Sequence, residues 1–228
     1  MIVSLNKKIT EYKLIACDLD GTLYDQVKLR MIMATRLTRH YLRHPFSIKE
    51  LFIIKYFRDI REKWEEISIN LPKGYETLSL EDAQYKYVAD KYGCERENVK
   101  SIITKWMFDN PLDAIALAKD DRLLKCLDAL RSKGIKVVIL SDYPIEDKIN
   151  ALKFTADGHY SALDANINEL KPSPKGLCVI MKDYDLMPQE IVMIGDRDSK
   201  DGECARRAGT DYIIIDRKIS GRDYTVFD

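Results

Sequence analysis

Four short runs of apolar residues stand out against the mixed polar and apolar pattern of the rest of the chain. None of them alternates apolar with polar positions, and β-branched residues are frequent in them. Such runs are typical of short strands that are covered on both faces of a sheet. The predicted strands are LIAC at 14–17, VVIL at 137–140, IVMI at 191–194 and YIII at 212–215.

The segments between these runs carry apolar residues at helical spacing, notably from 123 to 130 and from 177 to 184. The dipeptide Ser173-Pro174 precedes the second segment, which predicts that the serine caps this helix and that the proline is its first residue. A third helix is expected to end at Gly209 in a left-handed cap. Strands that alternate with helices indicate an α/β fold with a doubly wound parallel sheet.

The segment from residue 26 to residue 112 departs from this rhythm. Long amphipathic stretches such as TRLTRHYLRH and IKELFIIKYFRDIREKWEEI fill it, so we interpret it as an inserted α-helical subdomain. Residues 1–25 and 113–228 would then form the α/β core. Because the insertion follows the first strand directly, it is a candidate lid over the carboxyl end of the sheet.

Composition and charge exclude several classes of protein. The 228 residues are 46% apolar and 32% charged, and no apolar run approaches the ~20 residues that cross a bilayer. The N-terminus lacks the apolar stretch of a secretory signal, so the cytoplasm is the expected location. The 37 basic residues balance 37 acidic ones, which gives no reason to expect nucleic acid as a partner. The five cysteines show no CxxC spacing, which argues against zinc or a disulfide framework.

The positive charges are unevenly distributed. Between residues 28 and 61, nine Lys or Arg residues stand against two acids. This stretch is expected to present a basic face that attracts an anionic substrate or contacts an acidic surface. The helical period divides its apolar run into a stripe of Leu51, Ile54 and Phe57 and a stripe of Phe52, Lys55 and Arg58. The sequence leaves the oligomeric state open.

Two pairs of acidic residues follow predicted strands. Asp18 and Asp20 come after LIAC, and Asp196 and Asp201 come after IVMI. Residues two apart in an extended chain point to the same side, and open α/β sheets bind ligands at the carboxyl edge of their strands. If the two strands are neighbours, the four carboxylates converge. Such carboxylates repel one another unless a cation compensates them, and oxygen ligands of this kind favour Mg²⁺.

Two further polar residues lie near predicted strand ends. Ser141 follows VVIL, and Lys171 lies in LKPSPKG. A hydroxyl and an ammonium group can orient a phosphoryl group and neutralise its charge. Taken alone, Ser141 would also suit a helix cap and Lys171 a solvated position before a proline turn. Their order along the chain, between the two acid pairs, favours the phosphoryl site.

Four segments resemble the four motifs of the haloacid dehalogenase-like (HAD) hydrolase superfamily. They are CDLDGTLYD, VVILSDYP, ELKPSPKG and VMIGDRDSKDGECARRAG, and the resemblance covers residues 13–25 and 113–217. It implies a Rossmann-like core with Asp18 as the nucleophile and Asp20 as the general acid and base. The insertion resembles the helical C1-type cap of the superfamily.

The resemblance also implies a metal site and a phosphate site. Mg²⁺ would be held by the side chains of Asp18 and Asp196 and by the backbone carbonyl of Asp20. Asp201 would orient the metal's water, whereas Asp198 is expected to be a surface residue. The residues assigned to phosphate binding are Ser141, Asp142, Lys171 and Thr22.

The implied reaction is magnesium-dependent hydrolysis of a phosphomonoester through an aspartyl-phosphate, with a small phosphorylated metabolite as the substrate. In this scheme Asp20 is protonated part of the time near neutral pH, because neighbouring carboxylates are expected to raise its pKa. Dehalogenating members of the superfamily need neither the second aspartate nor a metal, so Asp20 argues against that reaction. A phosphomutase, and a non-enzymatic scaffold whose basic insertion binds a partner or an acidic membrane surface, stay open as alternatives.

Overall fold

A six-stranded sheet forms the centre of the α/β fold within residues 1–227, the part of the chain that the computed structural model describes. The strands are β1 (Ile2–Ser4), β2 (Leu14–Cys17), β3 (Lys136–Ser141), β4 (Gly158–Ser161), β5 (Ile191–Gly195) and β6 (Asp211–Ile214). Their order is β1-β6-β5-β2-β3-β4. Strand β1 is antiparallel to β6, and the other neighbouring pairs are parallel. Strand β2 therefore lies between β3 and β5.

The α/β class and the mostly parallel sheet are confirmed. The four predicted strands correspond to β2, β3, β5 and β6, each within one residue at its ends. Strands β1 and β4 were not predicted from the sequence. In β4, the sequence GHYS contains no apolar run, and β1 is an exposed strand of three residues. Both depend on pairing with a neighbour rather than on a buried apolar pattern of their own.

The α-helices of residues 1–227 lie between the strands and within the inserted segment. They are α1 (Gln26–Arg43), α2 (Lys49–Glu62), α3 (Trp64–Ser68), α4 (Leu80–Tyr92), α5 (Arg96–Ile103), α6 (Leu112–Ala118), α7 (Asp121–Ser132), α8 (Glu146–Leu152), α9 (Lys175–Tyr184) and α10 (Glu203–Ala208). A π-helical turn, Asp198–Gly202, precedes α10.

Cap residues are visible at the ends of three helices, and at two of these ends a cap was predicted from the sequence. Helix α10 ends at Gly209, whose φ of 75° is the predicted left-handed cap. The prediction that Ser173 caps α9 was wrong by one position. Pro174 occupies the cap, and Ser173 Oγ accepts a hydrogen bond from the Lys175 N–H at 3.3 Å. Asp120 caps α7, and its side chain accepts hydrogen bonds from the backbone N–H groups of Arg122 and Leu123.

One face of the sheet is covered by α9 and α10. Alternate residues of β2, β3 and β5 point to this face and pack against the two helices. Burial of each large aliphatic side chain contributes roughly 1.5–3 kcal/mol to the free energy of folding. The cluster consists of Leu14, Ala16, Val138, Leu140, Leu177, Ile180, Ile191, Met193, Cys204 and Ala205.

The chain divides into two compact units. One is Met1–Leu29 with Ile115–Asp228 and contains the sheet, and the other is Arg30–Ala114 and is helical. In the helical unit, α2 packs on α4, and the rings of Phe57 and Tyr85 stack with their centroids 5.5 Å apart. Among the described residues, no helix combines the length and the apolar character that a membrane-spanning helix needs.

Helix α2 divides into a buried and an exposed stripe, as its sequence pattern predicts. Ile54 and Phe57 are buried and Leu51 is partly buried. The second stripe, Phe52, Lys55 and Arg58, is exposed. The helix therefore has one face in the core of the helical unit and one face that carries cations and an exposed aromatic ring.

Candidate active site

Three strands end side by side at the carboxyl edge of the sheet. Asp18 follows β2, Asp196 follows β5, and Ser141 is the last residue of β3. Because β2 is paired in parallel with both β3 and β5, the three chain segments leave the sheet next to one another. The two strands that carry the acid pairs are therefore neighbours, which is the condition for Asp18 and Asp196 to approach each other.

Lys171 lies between two of the carboxylates. Its Nζ is 2.5 Å from Asp18 Oδ1 and 2.6 Å from Asp201 Oδ1, and all three side chains are buried. The Lys171 backbone N–H donates to Asp142 Oδ1 at 3.0 Å, which fixes the loop that carries the lysine. Burial alone would lower the pKa of Lys171, but the charges of Asp18 and Asp201 raise it well above its usual value. The lysine is therefore a fixed positive charge.

Asp18 has one neighbour on each carboxylate oxygen. Lys171 contacts Oδ1, and Thr22 Oγ1 donates to Oδ2 at 2.9 Å. Burial raises the pKa of Asp18, Lys171 acts against this, and the charges of Asp201 and Asp196 add to it, so that the pKa lies well above its usual range. The protein's own groups thus leave this carboxylate short of positive charge.

The carboxylates of Asp18, Asp196 and Asp201 form a buried cluster in which one oxygen from each residue lies within 4.8 Å of the other two. Both oxygens of Asp196 are buried and accept no hydrogen bond from the described residues. Arg217 Nε lies 3.4 Å from Asp196 Oδ2, but its side chain is largely exposed and solvent screens its charge. Burial, followed by the charge of Asp201, raises the pKa of Asp196 to about 6. Buried carboxylate oxygens without donors fit a divalent cation that prefers oxygen ligands.

The carboxylate of Asp20 is bound by three donors of its own. Lys148 Nζ and Tyr24 OH each lie 2.5 Å from Oδ1, and Ser141 Oγ donates to Oδ2 at 3.1 Å. Burial acts to raise the pKa of Asp20, but the charge and the hydrogen bond of Lys148, with the two hydroxyls, lower it overall. The prediction that neighbouring carboxylates raise this pKa is wrong, because a buried lysine stands next to Asp20.

Lys148 was not predicted as a site residue. It lies on α8 with a side chain that is 6% exposed. The sequence does contain a signal, since Lys148 falls in the same helical stripe as the buried residues Ile145, Ile149 and Leu152. A lysine in an apolar stripe rarely becomes buried without a partner. Its partner, Asp20, lies 128 positions away along the chain, so the pairing is visible only in the fold.

Two further residues that were not predicted, Arg222 and Tyr224, stabilise the turn after β2. Arg222 donates to the carbonyl oxygens of Gly21 and Thr22 at 2.7 and 2.6 Å, and to Asp120 Oδ2 at 2.7 Å. Tyr224 OH also donates to Asp120 Oδ2, at 2.7 Å. The Arg222 side chain is fully buried. These contacts fix the backbone between Asp18 and the start of the inserted segment.

Gly21 brings this turn close to the acidic cluster. Its φ of 102° lies in the region that favours glycine, and a Cβ at this position would lie 2.7 Å from Asp196 Oδ2. The backbone after Asp20 and the Asp196 carboxylate are therefore in contact only because residue 21 has no side chain.

Three of the four carboxylates that were predicted to converge form one cluster, and Asp20 lies outside it with partners of its own. Asp18, Asp196 and Asp201 share the acidic cluster, and Lys171 and Thr22 contact Asp18. Ser141 bonds to Asp20 instead, and Asp142 holds the Lys171 backbone. Asp198 lies outside the cluster and pairs with Arg206 at 2.8 Å, as expected for a surface residue.

The sequence matches the family described as haloacid dehalogenase-like hydrolase over residues 12–209. The match spans most of the chain and includes every residue of the acidic cluster, as well as Lys148 and Lys171. Arg222 and Tyr224 lie beyond its end. The sequence has no significant match among curated proteins.

Solved structures with a similar fold include both dehalogenases and phosphatases. A 2-haloacid dehalogenase from Pseudomonas syringae pv. Tomato DC3000 is 16% identical over 90% of this chain and 86% of that chain, with a TM-score of 0.59. A predicted phosphoglycolate phosphatase from Haemophilus somnus 129PT is 18% identical over 95% and 89% of the two chains, with a TM-score of 0.52. The HAD-hydrolase YfnB from Bacillus subtilis, bound to magnesium, is 12% identical over 92% and 87%, with a TM-score of 0.56. Identities this low show a common fold and leave the reaction open.

Replacement of Gly21 tests the close approach of the turn to the cluster. Gly21→Ala and Gly209→Ala both place a side chain at positive φ, so each is expected to cost about 1–2 kcal/mol of unfolding free energy. Only Gly21→Ala displaces Asp196, because the nearest atom to a Cβ at residue 209 is 3.8 Å away. If the cluster holds a divalent cation, calorimetric titration with Mg²⁺ as the probe should show weaker binding for Gly21→Ala alone. Equal Mg²⁺ affinity in the two variants would contradict the packing argument.

Proposed function

We propose that this chain, which belongs to the haloacid dehalogenase-like hydrolase family, is a magnesium-dependent phosphomonoester hydrolase that acts through an aspartyl-phosphate on Asp18. The observation that carries the proposal is the buried cluster of Asp18, Asp196 and Asp201, with the unpartnered oxygens of Asp196. Displacement of a halide by an aspartate requires no such cation site, whereas transfer of an anionic phosphoryl group does benefit from one. A solved structure of the same fold is bound to magnesium, which agrees with this assignment.

Asp18 is the nucleophile in this proposal. One oxygen of its carboxylate attacks phosphorus, and the bond between phosphorus and the leaving oxygen breaks. Lys171, 2.5 Å from Asp18 Oδ1, offsets negative charge on the phosphoryl oxygens, and Thr22 orients the attacking carboxylate. Mg²⁺ held by Asp18 and Asp196, with Asp201 beside it, would supply further neutralisation of charge on the phosphoryl group.

Asp20 serves both half-reactions. Arrival of a phosphoryl dianion places negative charge beside its carboxylate, which favours protonation against the effect of Lys148. The protonated Asp20 then gives its proton to the leaving alkoxide. As a carboxylate it next accepts a proton from the water that hydrolyses the aspartyl-phosphate. Ser141 and Tyr24 keep its two oxygens in place throughout.

Lys148 acts in this scheme as a positioning residue for Asp20. It is buried, and it contacts the carboxylate that has to exchange protons with the leaving group and with water. Asp142 has a comparable role for Lys171, because it accepts the hydrogen bond of the Lys171 backbone N–H. The substrate of the proposed enzyme is a small phosphorylated metabolite.

Loss of the nucleophile is the first test. Asp18→Asn is expected to lower magnesium-dependent hydrolysis of an aryl phosphate by about three orders of magnitude or more, because an amide cannot form the aspartyl-phosphate. The melting temperature should be retained, because the change removes one of several repelling charges. Asp147→Asn, at an exposed aspartate of α8, is the matched control and should keep full activity. Turnover of a 2-haloacid by the wild type, with no phosphatase activity, would contradict the proposed reaction.

Asp196 and Asp198, two of the acids of the last motif, provide a matched pair for the metal site. Asp196→Ala should raise the Mg²⁺ concentration needed for half-maximal activity by about a hundredfold or more, since it removes a proposed ligand. Asp198→Ala removes a carboxylate that pairs with Arg206 outside the cluster, so its Mg²⁺ requirement should match that of the wild type. Activity titrated against Mg²⁺ measures both. Equal shifts at the two positions would mean that the ligand has been assigned to the wrong aspartate.

The role of Lys148 can be separated from a purely structural one by varying the leaving group. Lys148→Met is expected to lower kcat by about a hundredfold for an alkyl phosphate, whose poor leaving group depends on the acid, and far less for a nitrophenyl phosphate. Lys148→Arg should recover part of the loss because it keeps a cationic donor. Lys153→Met, at an exposed lysine five residues on, is the control. The same loss with both substrates would indicate general disruption of the site.

A further inference from the structure

The helical unit carries a cluster of exposed apolar side chains where α1 turns into α2. We call residues 39–55 the α1–α2 tip. Phe46 is 98% exposed, Leu42 80%, Phe52 57% and Ile48 49%. Exposed apolar residues are ordinary when they stand singly, but a contiguous group of them marks a contact surface. An open groove of about 470 Å³, lined by Leu42, Ile48, Leu51 and neighbouring residues of the two helices, continues this surface.

The charges around these apolar residues have one sign. Arg39, Arg43, Lys49 and Lys55 are exposed, and among residues 1–227 none of the four has a carboxylate partner. The acid of the tip, Glu50, is partly buried. It accepts hydrogen bonds from Tyr41 OH and Trp106 Nε1, both at 3.0 Å. The exposed residues of the tip therefore combine cations with apolar side chains, and none of them is an acid.

The tip is anchored within the helical unit. His40 lies against Trp106 with ring centroids 4.9 Å apart, and Tyr41 lies 5.9 Å from the same ring. Arg36, one turn before the tip, makes a two-point ion pair with Asp113, with distances of 2.7 and 2.6 Å. Arg36 is thus a structural residue, and the unpaired cations start at Arg39. Phe46 and Leu42 are therefore exposed on a part of the helical unit whose neighbouring residues are packed.

We propose that the α1–α2 tip docks on an anionic lipid surface. Exposed arginines and lysines attract anionic headgroups, while aromatic and aliphatic side chains enter the boundary between headgroups and acyl chains. A second copy of the chain fits this surface less well, because a twofold contact would bring the same unpaired cations face to face. The proposal goes beyond hydrolysis and does not require it, since every residue involved lies in the helical unit.

Vesicle co-sedimentation of the full chain tests the proposal. Vesicles of phosphatidylcholine mixed with phosphatidylglycerol should bind the wild type on the order of tenfold or more tighter than vesicles of phosphatidylcholine alone. Arg39→Glu with Arg43→Glu should abolish this preference, and added salt should weaken the binding of the wild type to the anionic vesicles. Phe46→Ala should weaken binding at low and at high salt, because it removes an apolar contact.

Two control variants keep the test specific to the tip. Lys91→Glu with Lys100→Glu reverses two exposed cations elsewhere in the helical unit, and Ile69→Ala removes an apolar side chain that is 77% exposed. Both should bind anionic vesicles like the wild type, and circular dichroism should show that all variants are folded. Equal losses in the control and tip variants would overturn the proposal, as would absence of binding by the wild type. A wild-type dimer in sedimentation equilibrium that Phe46→Ala converts to a monomer would overturn it in favour of self-association.

Discussion

The contact of Lys171 with both Asp18 and Asp201 is the interaction on which the rest of the site depends. Parallel pairing of β2 with β5 places Asp18 and Asp196 at one edge of the sheet, and the turn after β5 adds Asp201, so that three acidic side chains are buried together. Carboxylates that are buried together repel one another strongly. Lys171 is buried with them, 2.5 and 2.6 Å from two of the three, and supplies one positive charge. The third, Asp196, keeps two buried oxygens without donors, which is the condition that a divalent cation would satisfy.

Two buried lysines act on the two aspartates of the first motif in different ways. Around Asp18, burial and the other carboxylates outweigh Lys171 and raise its pKa, whereas around Asp20 Lys148 and two hydroxyls outweigh burial and lower it. A nucleophile has to be ionised and an acid protonated, so the protein's own groups shift both pKa values away from what the proposed reaction needs. A cation beside Asp18 and a phosphoryl group beside Asp20 would oppose these shifts. In this view metal and substrate binding complete the site electrostatically.

The site residues that could be predicted are those that lie in local sequence patterns. Asp18, Asp196 and Ser141 could be predicted because each directly follows a strand that a buried apolar run marks. Strand β4 could not, since GHYS has no such run. Lys148 and Arg222 were not predicted, because their partners, Asp20 and Gly21, are separated from them along the chain by 128 and 201 positions. The lowered pKa of Asp20 was missed for the same reason. The direction of its pKa shift depends on which residue, distant in sequence, lies beside the carboxylate, and that residue is Lys148.

The central claim, that Asp18 forms the covalent intermediate, can be tested directly by trapping. The wild type is mixed with an aryl phosphate and Mg²⁺, quenched rapidly, reduced with borohydride, and digested for peptide mass spectrometry. Reduction of an acyl phosphate converts the aspartate that carried it into homoserine. If Asp18 is the nucleophile, homoserine appears at position 18, and only when both Mg²⁺ and substrate are present. Homoserine at another aspartate, or unmodified Asp18 during steady turnover, would contradict the claim.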